Sequence, residues 1–121
     1  MSDAWPIERS KGVADGRSSG SAFGPLAWAV ATSDDKTLDL ERQIERCFEK
    51  IDRVLADLKT DRRYLLSVGV FLADLRDKTA FDRAWLKWVG PYPRHWPQRS
   101  CVGAKLSPGT LVEMTVVAAR P

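Results

Sequence analysis

Between Asp39 and Leu58 the chain places apolar side chains at Leu40, Ile44, Cys47, Phe48, Ile51, Val54, Leu55 and Leu58. Spacings of three and four gather these residues on one stripe of a helix. The opposite face carries Glu41, Arg42, Glu45, Glu49, Arg53 and Asp57. Glu49 precedes Arg53 at a spacing that allows pairing. Thr37 or Asp39 can cap the start. A stripe this long has to be buried against something, and a sheet is the natural partner.

The flanking segments supply that sheet. Leu26–Ala31 is a short apolar run that reads as a buried strand, and the Gly24-Pro25 punctuation before it predicts an N-terminal hairpin with Ser21–Phe23. Tyr64–Leu72 is nearly all apolar, and its pattern predicts a central strand covered on both faces. Lys78–Val89 is expected to form a second helix capped by Asp77, with Phe81, Trp85, Trp88 and Val89 as its stripe and Asp82, Arg83 and Lys87 outside. Gly90-Pro91-Tyr92-Pro93 ends it. Two last strands, about Arg99–Leu106 and Leu111–Ala119, are joined by the Pro108-Gly109 turn.

The predicted order is β-β-α-β-α-β-β. It implies an α/β sandwich: a mixed sheet with two helices on one face. The other sheet face is left bare, and some of its outward positions are apolar, which predicts a homo-oligomer. Residues 1–121 are expected to form a single domain, with about 1–12 as an irregular N-terminal extension.

Composition narrows the function classes. The 19 basic and 16 acidic residues give a net charge of +3, but they are interleaved, as in Asp39-Leu40-Glu41-Arg42. A nucleic-acid binder gathers its cations on one face or stripe, so nucleic acid is not an expected partner. No apolar run is long enough to span a bilayer, and no apolar stretch preceded by basic charge opens the chain. The expected address is cytoplasmic. Cys47 and Cys101 fall in a helix stripe and a strand, as thiols of a reducing compartment do, and neither has metal-ligand spacing with His95.

Arg99 starts one of the last two strands and Glu113 the other. An antiparallel return would bring them close, as a structural ion pair or as a site for a small carboxylate.

Arg99-Ser100-Cys101-Val102, a Pro-containing turn, and Val112–Ala119 together resemble the C-terminal signature of the Rid family, also called the YjgF family. So do the helix Gln43–Leu58, the segment Val70–Leu75 followed by Phe81, and Trp85 ahead of the Pro-rich approach to Arg99. The resemblance covers about Leu38–Ala119 and implies a chorismate-mutase-like sandwich assembled as a homotrimer, with ligand pockets at subunit interfaces. It implies hydrolysis of reactive enamines and imines, such as 2-aminoacrylate, to a 2-keto acid and ammonia, with no metal or organic cofactor. It assigns Arg99 to substrate binding, Glu113 to positioning water, and the backbone of Cys101 to the substrate nitrogen. Those residue types suit the chemistry. A guanidinium grips a carboxylate with two charge-assisted bonds, and a carboxylate can hold and polarise a water for attack.

The chain also departs from the family pattern. The common N-terminal Gly-Pro-Tyr segment is absent, and the nearest stretch is Gly16-Arg17-Ser18-Ser19. Ala31 stands near the place of a pocket glycine, and Gly103 replaces an acidic residue. These changes point to a divergent subfamily. Arg17 could give the pocket a second positive charge or sit in a solvated loop; His95 could rim the pocket or lie on the surface. Cys101 is assigned no nucleophilic role. The alternatives to a deaminase are a non-catalytic trimeric binding module for a small carboxylate and, third, an endoribonuclease or translation inhibitor.

Overall fold

The computed structural model describes residues 4–121. Among the described residues six strands form one mixed sheet: β1 (Glu8–Ser10), β2 (Gly20–Phe23), β3 (Leu26–Thr32), β4 (Leu65–Leu72), β5 (Gln98–Gly103) and β6 (Val112–Ala119), in the spatial order β1-β2-β3-β6-β4-β5. Helices α1 (Leu40–Asp57) and α2 (Lys78–Val89) cover one face. The sandwich expected from the sequence is therefore present, with one strand more.

That extra strand corrects the expectation of an irregular extension over residues 1–12, whose first three residues lie outside the described ones. Glu8–Ser10 pairs antiparallel with Gly20–Ala22. Its polar residues show no alternation because it is an edge strand held by distant partners. Glu8 accepts from Lys59 at 3.2 Å and also pairs with Arg120.

The α1 stripe is built as the spacing demands. Ile44, Cys47, Ile51 and Leu55 are fully buried, and each large aliphatic side chain withdrawn from water contributes roughly 1.5–3 kcal/mol. Asp39 is the cap, its carboxylate accepting from the Arg42 backbone N–H at 2.9 Å. Helix α2 packs through Phe81, Trp85 and Trp88, and the Trp88 ring stacks on Phe48 with centroids 4.5 Å apart. Asp77 sits at its N-cap position but makes no side-chain capping bond, contrary to expectation. The Asp74 carboxylate instead accepts from the Arg76 N–H in the preceding turn. Gly20 is where sheet and α1 come closest: a Cβ there would stand 2.4 Å from Val54 Cγ1.

Two expectations about the sheet change. Strand β4 is covered on one face only. Val68, Val70 and Leu72 point to the helices, whereas Gly69 and Phe71 lie on the open face with Thr115 and Glu113 beside them. The last two strands do reverse direction, but they are not neighbours, because β5 pairs parallel with the outer side of β4 and β6 runs between β3 and β4. The open face presents Trp28, Val30 and Val102, each more than a third exposed. Among the described residues no helix is long and apolar enough to cross a membrane.

Candidate functional site

The crossover decides where the sequence-predicted site residues lie. Arg99 is level with Val68 of β4, which is level with Val116 of β6. Val68 and Val116 are buried under the helices, so Arg99 points to the helix side. Glu113 is level with Phe71 and Thr32 on the open face. The two residues are two strand spacings apart, about 10 Å across the sheet, with a further three residues or about 10 Å along it, and on opposite faces. Within one chain they form neither an ion pair nor a single site.

The structural partner of Arg99 is Asp82, accepting from Nη2 at 2.6 Å. The guanidinium lies 5.4 Å from the Phe81 ring centroid and 5.2 Å from that of Trp85. One turn of α2 thus gives it two aromatic contacts and a carboxylate. Asp82 also accepts from Lys78 at 2.9 Å. Burial pushes the Asp82 carboxyl up, but the bonds from Lys78 and Arg99 outweigh it and hold the group below the usual carboxylate range. The Arg99 side chain is 16% exposed. Among the described residues no fully buried side-chain nitrogen lacks a partner, so the Arg99 nitrogens not bonded to Asp82 reach solvent.

Cys101 lies two residues further along β5, half-buried against the core. Desolvation pushes its thiol up, with Arg99 and Lys78 opposing, and a thiol held in its neutral form is a poor nucleophile. Because β5 ends the sheet, its outer backbone edge is open to a ligand or to a neighbouring chain.

The other predicted residues gather elsewhere. Arg17, Ala31 and Glu113 line a recess of about 530 Å³ between the 12–19 loop and the ends of β3 and β6. The Ala31 side chain is buried toward the helices, so only its backbone can face the recess. Lys36, Lys50 and Asp34 complete the charged lining. Lys36 Nζ donates to the Ser33 carbonyl at 2.5 Å, and Lys50 Nζ stands 3.9 Å from Asp34. Lys36, Lys50 and Asp82 were not singled out by sequence. Asp82 carried one available signal: it directly follows Phe81 and lies three residues before Trp85, so a strand packed on that turn would meet all three.

His95 belongs to a short 3-10 turn, its ring 5.6 Å from that of Tyr92. It lines none of the recesses described. Among the described residues no group of three or more His, Cys, Asp or Glu is placed to hold a metal ion.

The family model described as Endoribonuclease L-PSP matches residues 24–120. The chain belongs to this family, the YjgF/Rid family. A RutC family protein of Haemophilus ducreyi is 35% identical over 97 residues, covering 79% of this chain and 81% of that one. A crystal structure of an uncharacterized protein from Pseudomonas aeruginosa superposes with a TM-score of 0.85 at 35% identity, covering 95% of this chain and 99% of that one. A putative translation initiation inhibitor from Salmonella typhimurium gives 0.81 at 30% identity over 93% and 96%. The YjgF/Rid fold thus extends over nearly the whole chain, including the strands ahead of the segment whose sequence resembles the family.

Proposed function

We infer that this YjgF/Rid protein is a hydrolytic deaminase of small 2-imino acids, working at a site shared between copies of the chain in a homotrimer. The observation that carries this is the separation itself. Arg99 and Cys101 sit at one border of the sheet, whereas Glu113 lies on the open face, in a recess with Arg17 and the Ala31 backbone. Neighbouring copies packed through the apolar open face would join the two halves. In that site Arg99 binds the substrate carboxylate with the nitrogens that Asp82 leaves free. Glu113, near the cations Lys36 and Lys50, holds a water for attack on the imine carbon. The iminium carbon takes up water oxygen, the C–N bond breaks, and C=NH2⁺ plus H2O becomes C=O plus NH4⁺. Orientation of a reactive substrate supplies much of the acceleration.

An amino-acid oxidase generating 2-iminobutanoate in situ provides the test. Keto acid and ammonia should form faster with the protein than in buffer, and Arg99→Ala should lose that acceleration. Rates equal to buffer for both proteins would refute the deaminase.

The Arg99–Asp82 bond favours a second reading, a binding module. Asp82 holds the guanidinium in place, which suits reversible capture of a carboxylate by its other nitrogens. Binding of a keto acid that Arg99→Ala abolishes, with no imine hydrolysis, would select it. The endoribonuclease and translation-inhibitor descriptions among the relatives make RNA binding and cleavage a control in the same experiments.

A further inference from the structure

Among the described residues the recess beside Glu113 carries one more cation than carboxylates. Arg17, Lys36 and Lys50 line it against Asp34 and Glu113. Two of these cations are engaged: Lys36 with the Ser33 carbonyl and Lys50, long and loosely, with Asp34. Arg17 is exposed and has no hydrogen bond or ion pair among the described residues. It is not left there by a slack loop. The Ser19 backbone N–H donates to the Ser10 carbonyl at 2.8 Å, and the Val30 N–H donates to the Ser19 carbonyl at 3.0 Å. The segment carrying Arg17 is therefore stitched to β1 and β3 two residues beyond it. Gly16, at φ 84°, makes the turn that presents it.

Small polar groups also line the recess, among them Ser18, Ser33 and Thr110. They offer hydrogen bonds, and Val13, Ala14 and Val30 add apolar surface beside them. The feature that favours a second anionic group is the Arg17 guanidinium, unpartnered among the described residues, with Lys36 and Lys50 in the same recess.

We propose that the substrate is a 2-imino dicarboxylate: its α-carboxylate meets Arg99 of one copy, and its distal carboxylate meets Arg17 in the recess of the next. This rests on the shared-site deaminase reading and adds the substrate class. Lys36 and Lys50 supply background positive charge, and Arg17 is the specificity-determining contact. The hydrolysis is the one given above, and the distal carboxylate takes no part in bond making.

The test compares 2-iminoglutarate with 2-iminobutanoate, each generated in situ by an oxidase, in the intact protein, Arg17→Ala and Arg17→Lys. A charge-assisted contact made only by the longer acid should favour it by about tenfold or more in kcat/KM. Arg17→Ala should bring the ratio toward one, mainly through KM, and Arg17→Lys should restore part of it. A ratio near or below one in the intact protein, or one unmoved by Arg17→Ala, would overturn the proposal. Calorimetry with 2-oxoglutarate and 2-oxobutanoate separates it from the deaminase reading. Arg17-dependent preference for 2-oxoglutarate without turnover would support the dianion site while removing the deaminase. Turnover of 2-iminobutanoate with no dicarboxylate preference would do the reverse.

Discussion

Arg99 Nη2 donates to Asp82 Oδ1 at 2.6 Å, tying the edge strand β5 to helix α2. The bond fixes one end of a guanidinium whose flat surface already lies near Phe81 and Trp85. It leaves the other guanidinium nitrogens reaching solvent. Asp82→Ala should therefore weaken binding of 2-oxobutanoate severalfold by releasing the guanidinium. The Asp82 side chain is 37% exposed, so the unfolding free energy should change by less than about 1 kcal/mol. Calorimetric titration beside urea melts checks both. Tighter binding would mean that Asp82 only competes with the ligand.

Arg99→Lys keeps the charge but loses the planar fork and much of the ring contact. It should weaken keto-acid binding by about 10–100-fold, because an ammonium cannot give the two-pronged contact. Near-normal binding by the lysine variant would show that charge alone is read.

The same elements show what the sequence reveals and what it hides. The α1 stripe, the strand runs and the Gly90 stop are local patterns, and each marks an element of the structure, although the strand expected over Arg99–Leu106 ends at Gly103. The Pro108-Gly109 signal correctly marks a reversal, but a turn cannot say which strand the returning segment meets. That is settled by the loop's anchor. Gln43, fully buried on α1, donates Nε2 to the Leu38 and Gly109 carbonyls and accepts from the Leu111 N–H. A single glutamine in a helix stripe gives no sequence hint of contacts 66 and 68 residues away. Strand β1 was hidden for the same reason, since its order comes from β2, Lys59 and Arg120. Arg99 and Glu113 were legible as residues of interest; their opposite faces depend on the crossover.

Cys47 offers a pH test of the core. Its Sγ lies 3.7 Å from the Ala31 carbonyl and 3.8 Å from that of Val112. Burial pushes the thiol up to about 12 from an ordinary 9.0. The unfolded chain therefore releases this proton first as pH rises. Stability is fully present below pH 9 and falls by about 1.4 kcal/mol per unit toward 12. Cys47→Ala is less stable at neutral pH because it leaves a cavity, but its alkaline slope should be shallower by that amount. Denaturant melts between pH 7 and 10.5 check this, and parallel curves for the two proteins would contradict it.

The central claim is that Arg99 and Glu113, on opposite faces within one chain, act together across an interface. The most direct measurement is imine hydrolysis by mixed oligomers formed by co-expressing Arg99→Ala and Glu113→Gln chains under separate tags. Each homo-oligomer should be inactive. In a random equal mixture about a quarter of shared sites would have both residues intact, so about a quarter of the wild-type rate should return. No recovered activity in purified mixed oligomers, while the wild-type protein hydrolyses the imine, would contradict the shared site.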